Sequence, residues 1–290
     1  MTPMTHTTLR SLRQRVETRA VSEGAGVTVH RSIGTPALRH LDPFLMLDHF
    51  GSEDPDEYIA GFPDHPHRGF NTFTYMLEGH MEHRDSMGNR GDLTAGGAQW
   101  MKAASGVIHS EMPRQTQGRM SGFQLWINLP AAEKMADPAY QEFGAERIPE
   151  VVEAGGRVRV LVGEYGGCRG SIQDPHTDVR YLDVSLVPGA AFQAPVPAGH
   201  NAFLYVFEGE AELEAGSQSQ PVPRHSLAVL GPGDALALTA GPAGARFILV
   251  SGRPLGEPIV QYGPFVMNTR EEIEQAFADY KAGRLVRAEG

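Results

Sequence analysis

The sequence is poor in three things, and each shortage closes off a class of function. It has a single cysteine, Cys168, among 290 residues. One thiol cannot build an intrachain disulfide framework or a thiolate cage, so any metal must be held by nitrogen and oxygen donors, and a reducing, cytoplasmic setting is expected. No apolar run approaches the roughly 18 residues that a membrane-spanning helix needs, and the opening Met1 to Val16 stretch lacks the apolar core of a secretion signal. Basic residues are outnumbered, 25 against 35 acidic ones, which gives a formal charge of −10. A concentrated basic face for nucleic acid is therefore not expected, and the short arginine-rich stretch from Arg10 to Arg19 reads as a solvated segment.

What the sequence does have is turn chemistry. With 34 glycines, 21 prolines and 41% hydrophobic residues, it reads as a globular all-β protein with many turns between short strands. Its length is enough for two domains. Asn71-Thr-Phe-Thr-Tyr-Met-Leu-Glu78-Gly79 recurs as Asn201-Ala-Phe-Leu-Tyr-Val-Phe-Glu208-Gly209, with the asparagine, phenylalanine, tyrosine, glutamate and glycine shared. Gly91-Asp92 finds a later counterpart in Gly233-Asp234. Two copies of one β-unit are implied. The polar stretch from Met135 to Ile148 reads as a linker, which divides the chain into domains 1–135 and 136–290. The tail differs, because Thr269-Arg-Glu-Glu272 is a capping-box pattern and Ile273, Ala276, Phe277 and Tyr280 follow at helical spacing. Gly283 supplies the stop, which predicts a helix over about 270–282.

The chemistry lies in two short segments. In a strand, residues i and i+2 share a face, so His65-Pro66-His67 offers two imidazoles pointing one way. His109-Ser110-Glu111 repeats the geometry with an imidazole and a carboxylate. If the two strands are neighbours, four donors converge on one divalent cation. Pro66 fits only an edge or an irregular strand start, which puts the site at a barrel mouth. Gly69 and Gly106 mark places where the backbone must bend or come close to another group. The donor set suits iron, manganese, nickel, copper or zinc. Zinc would be saturated by four ligands, whereas a six-coordinate ion keeps open positions, so a redox metal is expected, iron first. The other histidines, from His6 through His83 to His225, are read as satisfied core or surface residues, with His49 left open.

His65-Pro-His67-Arg-Gly-Phe70, Gly106-Val-Ile-His109-Ser-Glu111-Met-Pro113, Asp42-Pro-Phe-Leu-Met-Leu-Asp48 and Gln261-Tyr-Gly-Pro-Phe-Val-Met-Asn268 together resemble the pirin family over about Ser11 to Lys281. The resemblance implies a bicupin: two antiparallel jelly-roll β-barrels packed face to face, with iron in the first on the residues matching His65, His67, His109 and Glu111. It implies a quercetinase-type flavonol dioxygenase in several members and a metal- or redox-sensing regulator acting through a protein partner in others. For the enzyme, a flavonol or related aromatic enol would chelate the metal, Glu111 would take its hydroxyl proton, and dioxygen would be the second substrate. Phe70, Phe73, Trp100 and Met101 are candidates for an apolar pocket wall. Asn71 stands where cupins commonly carry glutamate; counting from His67 by strand parity places it near the metal. The second copy has Pro195, Pro197, Ser251 and Arg253 where the first has its ligands, so it is expected to hold no metal.

Overall fold

The computed structural model describes residues 7–215 and 218–287; His6, one of the histidines set aside above, lies outside them. The regular structure of the described chain is mostly antiparallel strand, with three short 3-10 helices and one α-helix, Arg270–Lys281. No helix among the described residues is long and apolar enough to cross a membrane.

Two compact units share the chain, and neither is continuous. Residues up to 18 join 148–254 in one, while 19–147 join the segment from 255 onward in the other. This differs from the expected single cut after 135, for two physical reasons. The segment Ala139–Phe143, polar enough to read as linker, is a strand paired with Ala98–Lys102. The strand Leu12–Glu17 pairs with Ser226–Leu230, so the start of the chain completes the later unit.

The unit that carries the histidine motifs has two large sheets and a two-stranded one, Val260–Tyr262 with Phe265–Met267. Seven strands run in the spatial order Ala139–Phe143, Ala98–Lys102, Phe70–Glu78, Met120–Asn128, Phe44–Ser52, Val27–Ile33, Arg19–Glu23. Four more run Phe62–His67, Val107–Pro113, His80–Asp85, Arg90–Thr94. Phe62–His67 is an edge strand, which is where Pro66, lacking an N–H, is tolerated. Strand alternation divides Phe70–Glu78 cleanly. Thr74, paired with Gln124 of the next strand, faces a cavity between the sheets, and Phe73 and Tyr75 are fully buried on the other side.

The segment from 255 onward packs onto this unit. Thr269 caps the helix reciprocally with Glu272, its Oγ1 accepting from the Glu272 N–H at 3.2 Å while Glu272 Oε2 accepts from the Thr269 N–H at 2.9 Å. Ile273 and Ala276 then bury against Phe265, Met267 and Leu285. Gly69 (φ +93°) and Gly106 (φ +146°) make this docking possible. A Cβ at Gly69 would lie 1.9 Å from the Val266 carbonyl oxygen, and one at Gly106 would lie 2.4 Å from that of Leu285. The close approach read from these glycines is thus to backbone of the returning segment.

The other unit has a nine-stranded sheet built around two long strands, Asn201–Ala215 and Ala235–Gly252, and a two-stranded one, Glu164–Tyr165 with Cys168–Arg169. Its interior is filled by apolar side chains, among them Leu182, Val184, Phe192, Leu204, Val206 and Phe247. Each such side chain contributes about 1.5–3 kcal/mol by burial, so the apolar core is the main support of this unit.

Candidate metal centre

His65 lies directly opposite His109 across an antiparallel pair, with Val107 opposite His67. The two segments are therefore neighbours, as the motif spacing requires. The donor atoms of His65, His67 and His109 all lie within 4.8 Å of one another. Their ring centroids are 4.3 Å apart for His65 and His109, 4.7 Å for His65 and His67, and 5.0 Å for His67 and His109.

Backbone carbonyls orient two of the three rings the same way. His65 Nδ1 meets the Pro63 carbonyl at 2.8 Å and His67 Nδ1 meets the Pro264 carbonyl at 3.4 Å; a carbonyl only accepts, so each Nδ1 carries the proton. His109 Nδ1 faces His83 Nδ1 at 3.5 Å. In His65 and His67 that protonation leaves Nε2 as the free lone pair. His109 Nε2 is buried with no hydrogen-bond partner. An orphaned buried acceptor costs about 1–3 kcal/mol, and a cation at the convergence of three imidazoles removes that cost. Burial, with the neighbouring imidazoles second, holds His67 and His109 well below the ordinary histidine range, which keeps both neutral as ligands must be. By residue type and by orphaned acceptor, the set fits a divalent metal.

Glu111 is buried on the same strand and lines the same cavity, but it stands outside the three-histidine group and accepts a hydrogen bond from Thr74 Oγ1 at 3.2 Å. The register shift beside it falls on the partner strand, where the three steps from Phe62 to His65 span two of this one, while pairing with His80–Asp85 is unbroken, so Glu111 keeps the same face as His109 and is turned toward Thr74. Gln124 Oε1 lies 2.5 Å from the same Thr74 hydroxyl.

The cavity has a volume of about 710 Å³, within the usual range for small-molecule sites. Met46, Phe50, Phe62 and Trp126 supply apolar lining. Arg31 is also in the wall, held in a fork by Asp48 at 2.8 and 2.7 Å and by Glu23 at 2.7 Å. Burial raises the Asp48 carboxyl, and Arg31 opposes that rise.

Neither the four residues expected to form the apolar pocket wall, Phe70, Phe73, Trp100 and Met101, nor Asn71, expected near the metal, lines the cavity. Phe70 is fully buried behind it, tilted by 31° against Trp126 at 4.3 Å and edge-on to His67 at 5.1 Å, so it backs a ligand ring. Phe73 packs with Trp100 at 6.0 Å, and Met101 with Ala103 and Val107. Asn71 falls on the face opposite Thr74, not beside the histidines. Arg68 and Gly69 interrupt the strands between His67 and Phe70, so parity cannot be counted across them. Trp126, Thr74, Gln124 and the buried His83 were missed by sequence reasoning. For His83 a signal existed, since His83-Arg84-Asp85 is another i, i+2 pair of polar groups within a strand.

Residues 26–127 match the Pirin family and residues 181–286 the Pirin C-terminal cupin domain. A Pseudomonas aeruginosa protein provisionally named a quercetin 2,3-dioxygenase is 50% identical over 91% of this chain and 94% of its own length. Human pirin is 44% identical over 92% of this chain and 90% of its own. Among solved structures, a quercetin 2,3-dioxygenase from Acinetobacter baumannii superposes with a TM-score of 0.88 at 32% identity, covering 96% of this chain and 99% of that one. The fold is that of a two-domain cupin. The chain belongs to the pirin family.

Proposed function

We propose that the protein is an iron-dependent dioxygenase that opens a flavonol such as quercetin, or a related aromatic enol, with His65, His67, His109 and Glu111 as the metal's protein ligands. The observation that carries this reading is the convergence of three imidazoles, one with a buried and unpartnered Nε2, beside a cavity large enough for a small aromatic molecule. The names of the Pseudomonas and Acinetobacter relatives support the substrate class. A bound divalent iron would supply Lewis acidity toward the enol oxygens and redox coupling to dioxygen.

The rest falls to the chain's own residues. Glu111, the carboxylate in the cavity wall, accepts the enol hydroxyl proton. Thr74 orients it by donating to Oε1. The apolar lining of Phe50, Phe62 and Trp126 holds the aromatic rings out of water, and Arg31 with its carboxylate partners receives hydroxyl groups at the polar part of the wall. The net reaction takes one flavonol and one dioxygen to a ring-opened ester and carbon monoxide. A cytoplasmic setting accords with the lone thiol, Cys168.

The test is direct: iron-loaded protein is mixed with quercetin in air and the flavonol absorbance is followed. Loss well above that of a His109→Ala control supports the enzyme; loss equal to the control rejects it. If iron binds without turnover, and binding to a protein partner changes with the metal's oxidation state, the regulatory reading takes its place.

A further inference from the structure

The candidate ligand His109 is the inner end of a buried chain of groups that leads away from the cavity. His109 Nδ1 faces His83 Nδ1 at 3.5 Å, and His83 Nε2 lies 3.1 Å from Asp85 Oδ2. Both His83 and the Asp85 side chain are at most 1% exposed. Backbone register puts the pieces there, since Asp85 lies across from His109, and His83 across from Glu111, on neighbouring strands. Tyr140 stacks on the His83 ring at 4.5 Å and 21°, which fixes its plane.

Asp85 is fixed as firmly. Its Oδ1 accepts from the Met87 and Asn89 backbone N–H groups at 2.9 and 3.0 Å and from Asn89 Nδ2 at 3.2 Å; its Oδ2 accepts from Asn89 Nδ2 at 2.9 Å as well as from His83. Burial opposes ionisation of this carboxyl, but the His83 and Asn89 hydrogen bonds outweigh it and hold it below the ordinary range. It is therefore an acceptor only.

The donor and acceptor roles then follow in one direction. A carboxylate at Oδ2 requires the proton on His83 Nε2. With its one proton on Nε2, the His83 ring turns a bare Nδ1 toward His109, and a bare Nδ1 can only accept. His109 must then be protonated at Nδ1, and its Nε2 is bare and faces His65 and His67.

Resting on the metal reading above, we propose that Asp85 and His83 are positioning residues that set the tautomer of His109 and thereby make its Nε2 a metal ligand. Outer partners of this kind usually change metal affinity by about 10- to 100-fold. The chain has a sharp corollary in Asp85→Asn. Oδ1 receives two backbone N–H groups that cannot reverse, so the new amide oxygen takes that place and the amide NH₂ takes the place of Oδ2. The NH₂ donates to His83 Nε2, the His83 proton moves to Nδ1, and His109 must present Nδ1 as acceptor. Its proton is then on Nε2, where a metal would bind.

The experiment compares wild type, Asp85→Asn, His83→Phe and His83→Gln, each checked for folding by circular dichroism. His83→Phe keeps a ring against Tyr140 but has no nitrogen; His83→Gln can still accept from His109 and donate to Asp85. Nickel(II) affinity is read by chelator competition, and the His109 tautomer by long-range ¹H–¹⁵N correlation in the metal-free protein. Expected are about 10- to 100-fold weaker nickel binding in D85N and H83F, recovery of most of the loss in H83Q, and a shift of the His109 proton from Nδ1 to Nε2 in D85N. Wild-type affinity in D85N, or a His109 that stays protonated at Nδ1 there, overturns the proposal. A wild type that binds no nickel or ferrous iron overturns the metal reading, and the tautomer in the metal-free protein still decides the relay.

Discussion

The two β-units use the same strand phrase for opposite ends, and three of the four positions where they differ face inward, the fourth being Leu77 against Phe207. Thr72, Thr74 and Met76 of the first unit correspond to Ala202, Leu204 and Val206 of the second. The latter three belong to a continuous apolar core, whereas Thr74 lines a cavity and donates to Glu111. The shared Asn, Phe and Tyr at 71, 73 and 75 lie on the other face of the strand. The scaffold is thus carried by what the repeats have in common, and the site by what separates them: histidines against Pro195 and Pro197, and a hydroxyl against a leucine.

The comparison can be broken most forcefully at the ligands. His109→Ala should lower metal affinity by at least about 100-fold, more than loss of an outer partner would, and abolish flavonol turnover; equilibrium dialysis with metal analysis checks the first. Next come the exchanged inward positions. Leu204→Thr introduces an unpartnered hydroxyl into a packed core and should cost about 2–4 kcal/mol in urea unfolding. Thr74→Leu should leave metal stoichiometry intact but remove the hydrogen bond that orients Glu111, lowering kcat about tenfold. If Leu204→Thr proves as mild for stability as Thr74→Leu, the interiors do not differ as described.

Two smaller effects concern the shell of the metal-bearing unit. Burial disfavours ionised Glu82, but hydrogen bonds from Arg84, Arg90 and Arg114 outweigh it and hold its carboxyl at about 2. A folded value below the unfolded one stabilises the protein fully above the ordinary range near 4.5, and that contribution is lost as pH falls toward 2. The Tm difference between wild type and Glu82→Gln should therefore be constant from pH 6 down to about 5 and shrink below it. Thr269→Ala removes the helix cap and should cost about 1 kcal/mol, measured by thermal melting; a larger loss would mean that the helix secures the Gly69 and Gly106 approaches more than its burial indicates.

Much of this was legible in the sequence, for identifiable reasons. Alternation and turn residues marked the strands, and the capping box marked the helix. The His65, His67 and His109 cluster followed from same-face spacing, because that rule holds within an uninterrupted strand. It failed for Asn71, where counting ran through Arg68 and Gly69. The pocket wall was misread because large apolar residues were expected there, although Phe73 recurs as Phe203 in the repeat without ligands and so had no special tie to the site. The domain boundary was missed because pairing between distant segments, such as Leu12–Glu17 with Ser226–Leu230, leaves no local mark.

Anomalous diffraction from crystals of the protein loaded with ferrous iron tests the central assignment most directly. The account predicts one strong peak about 2 Å from Nε2 of His65, His67 and His109, with part of the coordination sphere open to the cavity. A peak elsewhere, or an ion enclosed on every side by protein atoms, would contradict it.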